Sequence, residues 1–244
     1  MDTGRGMRRI LSIAARELAS YFNSSLATIV LPIFLVLVGV FSLFFSDLFN
    51  SGIASMRQVF FWTTLFLALL IPALTMRSFA EERRTGSLEL LLTLPVTEGE
   101  AVLGKFLAAL ALVWLALALT LSYPISLSLH SDLDWGPIFG GYVGMALVGA
   151  AYCAIGMAAS AATSNQMVAF LVGMVLCLVP YAMGFFLPSV PASLLPLAQH
   201  LSFQTHFNSL ARGVLDTRSL AFYGTVVLLA LHAAVFSLEQ KRLS

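Results

Sequence analysis

The chain has 244 residues, of which 59% are hydrophobic and 10% are charged, and its formal net charge is +1. Soluble domains carry roughly 25% charged residues, so this composition excludes a protein whose whole surface faces water. The small net charge also argues against a nucleic-acid partner. Cys153 and Cys177 lie inside apolar runs, where we expect buried side chains rather than a disulfide or a metal site.

The first predicted element is an amphipathic helix over residues 7–23. At 3.6 residues per turn, Arg9 and Arg16 fall on one face and an apolar stripe falls on the opposite face. That stripe comprises Ile10, Leu11, Ala14, Leu18, Tyr21 and Phe22. The pattern predicts a helix that lies in the membrane interface and contacts lipid. The apolar run that follows is too long for a signal peptide, so none is expected.

Six apolar runs are then long enough to cross a bilayer, which takes about 20 helical residues. They cover approximately 26–46, 58–76, 101–126, 137–160, 167–187 and 220–238. Pro72 and Pro180 lie inside two of these runs and predict kinks. The sequence therefore predicts an all-α, polytopic membrane protein with six spans, formed by a single domain over 1–244.

Basic residues predict how these spans are oriented. With six spans, both termini lie on the same side of the membrane. Ten of the 13 Lys and Arg residues fall on that side, and three, Arg57, Arg212 and Arg218, fall on the other. Positive residues favour the cytoplasmic side, so we predict a multi-pass protein of the bacterial inner membrane with both termini in the cytoplasm.

Most of the polar residues on the predicted cytoplasmic side lie in the loop at 77–100. A charged, helix-compatible stretch is followed by Gly86, a helix breaker, and by Ser87, which can cap a second short helix. Leu88 would lie on the apolar face of that helix, and Pro95 would end it. The loop is longer than a connection between spans requires. It is either an ordinary solvated loop or a docking surface for a cytoplasmic protein.

A phosphate-loop pattern, G-x-x-x-x-G-K, occurs at 99–105. A phosphate loop also needs a Ser or Thr next and a strand before it. Phe106 occupies the next position, and the segment opens a predicted membrane helix. We therefore do not expect this chain to bind ATP.

The fourth span contains Gly140 and Gly144, whose spacing permits close helix approach. The contact could be internal to one subunit, or it could form a dimer or conduit face. No ionisable residue is expected near the middle of a span except His232, which lies toward the cytoplasmic half of the sixth span. This argues against an ion-coupled carrier, which usually needs buried titratable groups, so energy is expected to come from another chain.

The segment at 188–219 mixes prolines with apolar and polar residues. This pattern predicts one or two short interfacial or re-entrant helices at the outer leaflet. Its candidate functional residues, for an external gate or contact with a periplasmic partner, are His206, Arg212, Asp216 and Arg218. The alternative for Arg212 and Asp216 is a simple i,i+4 ion pair. His200 and His206 are six residues apart, which would not aim both at one metal ion on a straight helix.

Two motifs resemble those of a known family. The run FAEERRTGSLELLLTLPV at 79–96, followed by LGK at 103–105, resembles the first cytoplasmic loop of ABC type-2 (ABC-2) permeases. The run LSFQTHFNSLARGVLDTRSL at 201–220 resembles the gliding-motility, GldF-type branch of these permeases. The two motifs occur in the expected order, and with the amphipathic helix the resemblance covers the whole chain.

The resemblance implies a non-catalytic transmembrane subunit that couples ATP hydrolysis in another chain to export or to force transmission. Two ATPase copies would bind the ATP and Mg²⁺, and a second permease chain would complete a homo- or heterodimer. An auxiliary subunit with a periplasmic domain is possible. The predicted ATPase-binding residues are Glu81, Glu82, Arg83, Arg84, Gly86, Leu88 and Glu89, with Arg9 and Arg16 as further candidates.

Two other classes of protein fit parts of the sequence. The pair Glu81 and Glu82 could belong to an intramembrane metal-dependent protease, but this would also need histidines within the membrane. A non-transporting membrane anchor would have no ATPase partner.

Overall fold

The computed structural model describes residues 3–24, 26–44, 56–86, 97–129, 133–214 and 216–242. Within these ranges the chain is helical and contains no strand. The helices are α1 (Thr3–Asn23), α2 (Leu26–Phe44), α3 (Arg57–Thr75), α4 (Arg77–Thr85), α5 (Glu98–Thr120), α6 (Ser122–Ser128), α7 (Trp135–Ala162), α8 (Gln166–Phe186), α9 (Leu195–Leu201), α10 (Phe203–Leu210) and α11 (Thr217–Arg242). A short 3₁₀ turn, Leu187–Ser189, follows α8.

Six helical segments of the described residues are long and apolar enough to cross a membrane. They are Ala27–Phe44, Arg57–Thr85, Glu98–Ser128, Trp135–Ala162, Gln166–Ser189 and Thr217–Gln240. Each contains or overlaps one predicted apolar run, so the predicted all-α fold with six candidate spans is confirmed. Their lipid-compatible surface is large, because many Leu, Val and Phe side chains on the outside of the bundle are exposed.

The bundle is built around α7, which packs against α3, α5, α8, α10 and α11. This helix is rich in glycine and alanine, and small side chains let neighbouring helices approach closely. Gly156, for example, faces Thr75 of α3, and Gly149 faces Val113 of α5. A helix with side chains this small can be surrounded on nearly all sides, which is why it forms the centre.

The two ends of the bundle are formed by different helices. One end, which we call the terminal end, contains α1, α4, the start of α5 and the ends of α7 and α11. There the hydroxyl of Ser237 on α11 donates to the carbonyl of Ala161 on α7. The opposite end, which we call the distal end, contains the starts of α3, α7 and α11, together with α9 and α10.

Pro72 and Pro180 both lie within helices that continue past them.

Helix α4 ends at Gly86, which adopts a left-handed conformation with φ of 73°. Glycine reaches this region without the steric cost that a Cβ imposes. The predicted helix break at Gly86 is therefore confirmed. The predictions for the rest of this loop concern Ser87, Leu88, Glu89 and Pro95. These four residues lie outside the described part of the chain.

Candidate functional site: a buried lysine at the terminal end

Helix α1 has three different faces. The buried stripe includes Ile13 and Tyr21 and packs against α5. An adjacent apolar stripe is exposed and includes Met7 and Leu11, while Arg16 is on the exposed polar face. The sequence predicted one apolar face for this helix. In the structure, part of that face contacts the protein and part is exposed and suited to lipid.

The packing of α1 on α5 brings Glu17 to Lys105. The ammonium nitrogen Nζ of Lys105 lies 2.7 Å from Oε1 of Glu17, 2.7 Å from Oε1 of Glu82 and 2.7 Å from the carbonyl oxygen of Ser78. It also lies 5.0 Å from the centre of the Phe79 ring. One side chain of α5 therefore binds both α1 and α4. We call Lys105, Glu17, Glu82 and Ser78 the Lys105 cluster.

The geometry of the cluster explains how a lysine is tolerated there. Only 1% of the surface of Lys105 is exposed, and an isolated buried ammonium is very costly. A lysine ammonium has three donors, and here each has an acceptor at 2.7 Å. The two carboxylates remain partly exposed, at 19% for Glu17 and 22% for Glu82, so water can stabilise the excess negative charge.

The same residues account for the apparent phosphate-loop pattern. Gly99, Gly104 and Lys105 all lie within the continuous helix α5, so the glycines do not form a loop. A methyl group added at Gly104 would lie 2.7 Å from Cγ2 of Ile13. In this structure, Gly104 provides the close approach of α1, and Lys105 binds the carboxylates of Glu17 and Glu82.

A capping box begins α5, and its Glu100 side chain makes a second contact between α5 and α1. The side chain of Thr97 accepts from the backbone N–H of Glu100, and the Glu100 carboxylate accepts from the backbone N–H of Thr97. The Glu100 carboxylate also lies 3.7 Å from the Arg9 guanidinium. Two ion-pair contacts, along with the close packing at Gly104, therefore hold α1 against the start of α5.

Ser160 joins α4 to the central helix α7. Its hydroxyl accepts from the backbone N–H groups of Phe79 and Ala80, at 3.0 and 3.1 Å, and donates to the carbonyl of Met76 at 3.0 Å. Met76 is the residue between α3 and α4. Ser160 therefore bridges the junction of these two helices with a fully used, buried hydroxyl.

The predicted ATPase-binding residues of α4 divide into two groups. Glu81 and Arg84 are exposed. Glu82 turns inward to Lys105, and Nη2 of Arg83 donates to the carbonyl of Ser237 on α11 at 3.4 Å. Glu82 and Arg83 therefore hold α4 in the bundle, whereas Glu81 and Arg84 lie on the exposed side of this helix.

At the distal end, the ion pair considered for Arg212 and Asp216 is not formed in the described part of the chain. Helix α10 ends at Leu210 and α11 begins at Thr217, so the two residues do not share a helix. Oδ1 of Asp216 instead accepts from the backbone N–H of Arg218 at 3.0 Å, next to the start of α11. The i,i+4 alternative is wrong for this reason.

His206 lies on α10 and is held by three neighbours. Its Nδ1 is 3.2 Å from the hydroxyl of Ser219, its Nε2 is 3.1 Å from the carbonyl of His200, and its ring stacks on Phe222 at 4.1 Å. Partial burial lowers the pKa of His206 below its ordinary value of 6.5. These contacts join α10 to α9 and to the start of α11.

Gly140 and Gly144 lie against α10 of the same chain. Gly140 faces the carbonyl of Leu210, and Gly144 faces the ring of Phe207. Gly140 and Ser160 are 20 residues apart on α7, which places the two ends of the bundle about 30 Å apart. The acidic pair Glu81–Glu82 and the histidines of α9 and α10 are thus at opposite ends of the bundle. The residues that a metal-dependent protease would need are therefore not brought together in one site.

Sequence reasoning missed three parts of the terminal end. The contacts of Lys105 with Glu17, and of Ser160 with α4, have no counterpart in the sequence patterns described above. The capping box had a readable signal, because Thr97 is followed three residues later by Glu100. The other contacts join residues that are distant in the sequence and have no local signal.

Comparison with protein families agrees with this architecture. A family model described as "ABC-2 family transporter protein" matches residues 46–238, which is most of the chain and includes α3 to α10. This chain belongs to the ABC-2 transporter family. The family indicates a permease subunit of an ABC transporter, typically a non-catalytic, multi-pass membrane protein that works with an ABC ATPase. No match was found among curated proteins.

Proposed function

We propose that this chain is the permease subunit through which a separate ATPase drives export across, or force transmission through, the bacterial inner membrane. The observation that carries the proposal is the Lys105 cluster. It fixes a charged, partly exposed helix, α4, to the amphipathic helix α1 and to the spanning helix α5. A partner that moved α4 would therefore move a spanning helix at the same time.

The docking surface comprises the exposed side of α4 and the residues that follow it. Glu81 and Arg84 are exposed there, and Leu88 and Glu89 would extend the surface. Arg16 on the polar face of α1 is also exposed and would contact the ATPase or its edge. Arg9 forms an ion pair with Glu100, so its role in this proposal is to hold α1 in place.

The mechanism follows from how α4 is connected. When the ATPase binds ATP, its closure displaces α4, and the Lys105 cluster carries this displacement to α1 and α5. Ser160 carries it to α7, around which the other spans pack. Packed helices move as rigid bodies rather than deform continuously, so the bundle tilts as a unit.

Six spans supply half of a translocation unit in this proposal, so two permease chains and two ATPase chains assemble. ATP and Mg²⁺ are bound by the ATPase chains. Both termini are cytoplasmic, as the positive residues favour. His206, Arg212, Asp216 and Arg218, at the distal end, form an external gate or contact an auxiliary periplasmic subunit, as in the GldF-type branch.

Charge reversal on α4 tests the docking surface. A tagged chain is purified from its native membranes, and the ATPase recovered with it is identified and quantified. The double variant Glu81→Lys, Arg84→Glu should weaken this association by about tenfold or more, since charge pairs at interfaces contribute strongly when buried. Glu82 is not used here because its reversal would also break the Lys105 cluster.

The matched control is Glu239→Lys, a charge reversal at an exposed residue of the same end of the bundle. It should leave ATPase recovery unchanged. Equal recovery of the ATPase with the double variant and the native chain would place the docking surface elsewhere.

A further inference from the structure

Helix α1 has an exposed apolar stripe that the rest of the described chain does not cover. Met7, Leu11 and Phe22 form this stripe, and their exposed fractions are 58%, 55% and 44%. The stripe lies beside the face of α1 that packs against α5. Because α1 is at one end of a bundle of membrane-spanning helices, an exposed apolar stripe on it is suited to contact with acyl chains.

A row of exposed polar residues borders the stripe. It consists of Arg8, Ser12 and Arg16, which we call the cationic row. Successive members are four residues apart, so they are neighbours on one side of the helix. Arg8 is only about 40° from Phe22 around the helix axis, and the two arginines start about 12 Å apart along it. The Ser12 hydroxyl donates to the carbonyl of Arg9 at 2.8 Å, which keeps it close to the helix and leaves room between the arginines.

The positive charge of the cationic row is not neutralised within the described part of the chain. There, Arg8 and Arg16 form no ion pair. The one acidic residue of α1 is Glu17, and its carboxylate is turned toward the Lys105 cluster. The exposed surface next to the apolar stripe therefore carries positive groups without an acidic one, and this charge complements an anionic partner.

The apolar stripe decides which kind of anionic partner fits. An acidic protein surface would account for the arginines but not for three exposed apolar side chains beside them. A bilayer with anionic headgroups accounts for both, because basic residues that flank an apolar helix face lie at headgroup level while that face contacts acyl chains. The combined surface of α1 therefore fits anionic lipid.

We propose that α1 binds an anionic phospholipid, with the headgroup over Ser12 between Arg8 and Arg16 and the acyl chains along the apolar stripe. The lipid stabilises α1 against the bundle. The surface is formed by one chain, so it binds lipid in the absence of an ATPase, although Arg16 would also lie beside the ATPase in the complete transporter. The proposal therefore goes beyond the coupling function and does not rest on it.

Hydrogen exchange of α1 in the purified full chain tests this proposal. The chain is reconstituted without an ATPase in two kinds of nanodisc that have the same acyl chains. One contains phosphatidylcholine alone, and the other contains phosphatidylcholine mixed with phosphatidylglycerol. Exchange in α1 should be slower by about fivefold or more in the anionic nanodiscs, since each basic side chain near an anionic surface strengthens binding by about fivefold.

Arg8→Gln and Arg16→Gln should each remove much of this protection, and the double variant should remove it. Both side chains are exposed, so these variants should fold, and equal Tm values in phosphatidylcholine nanodiscs would verify this. The matched control is Arg77→Gln, which removes an equal charge from an exposed residue of α4 at the same end of the bundle. It should retain the full protection of α1 by phosphatidylglycerol.

Four results would overturn the proposal. Equal exchange of the native chain in the two kinds of nanodisc would leave the cationic row to an acidic protein surface. Full protection in the double variant would mean that the row does not bind the headgroup, and an equal loss in Arg77→Gln would mean that only the overall charge matters. Equal protection by inorganic phosphate, added to phosphatidylcholine nanodiscs, would mean that the row binds a free oxyanion rather than a lipid.

Discussion

At the scale of single residues, Lys105 links three helices through one atom. Its ammonium nitrogen binds Glu17 of α1 and both Ser78 and Glu82 of α4. Buried ion pairs are often no more stabilising than apolar residues of the same size. We infer that the cluster mainly sets the relative positions of these helices.

Lys105→Met should destabilise the protein, because it leaves two carboxylates facing each other without their cation. The cost should be about 2–3 kcal/mol, below the roughly 3–5 kcal/mol of fully buried pairs, since both carboxylates are partly exposed. Thermal unfolding in detergent measures this as a lower Tm. The triple variant with Glu17→Gln and Glu82→Gln should recover most of the loss, and an unchanged Tm in Lys105→Met would contradict the account.

Ser160→Ala should also destabilise the fold, because two buried backbone N–H groups of α4 lose their acceptor. An unsatisfied buried donor costs about 1–3 kcal/mol. The control is Ser122→Ala, which removes an exposed hydroxyl bonded only within its own helical region. A similar Tm for the two variants would show that Ser160 does not hold α4.

These contacts show why residue-level prediction from this sequence was incomplete. Lys105 is 88 residues from Glu17 and 23 residues from Glu82, so their meeting depends on how α1 and α4 pack. The third apolar run, 101–126, contains Lys105 near its start, and the structure places this residue in the first turns of α5. Its partners depend on tertiary contacts that a local pattern does not contain.

At the scale of elements, α1 is attached to the bundle at a glycine. Gly104→Ala should loosen α1, because the new Cβ would lie 2.7 Å from Cγ2 of Ile13 and 3.1 Å from the carbonyl of Ile10. Gly99→Ala is the matched control on the same helix, since nothing lies within 4 Å of its added Cβ. Hydrogen exchange in α1 should accelerate in the first variant only. Equal exchange in both would mean that α1 is held by other contacts.

Helix α10 should respond to acid through His206. Burial lowers the pKa of His206 below 6.5, so the folded state favours the neutral ring. The stabilisation is complete above about pH 6.5, the unfolded pKa, and is lost as the pH falls through the lower folded pKa. The fall in Tm between pH 7.5 and 5 should be smaller in His206→Gln. An equal fall in the variant would assign the acid sensitivity to other groups.

Element prediction succeeded where the signal was local and failed where chain direction changed. The six spans follow from run length and hydropathy, and the end of α4 follows from Gly86. The proposed pairing of Arg212 with Asp216 assumed one helix, whereas the turn after α10 separates them. Gly213 has a positive φ of 83° in that turn, which is the physical reason the helix does not continue.

At the scale of the whole molecule, the two ends of the bundle have different chemistry. The terminal end has exposed charges on α4 and buried links to α1, α5 and α7, whereas the distal end has an open cavity lined by aromatic rings and arginines. The central helix α7 contacts both ends, through Ser160 and through Gly140. This arrangement allows a partner at one end to influence the other by moving one helix.

Site-specific photocrosslinking from α4 tests the central claim most directly. A photoreactive amino acid is placed at Arg84, which is exposed, in the full chain in its native membrane, and crosslinked proteins are identified by mass spectrometry. The same probe at Arg218, exposed at the distal end, is the comparison. The account predicts an ABC ATPase crosslinked from position 84 and none from position 218. An ATPase crosslinked from position 218, or none from position 84, would contradict it.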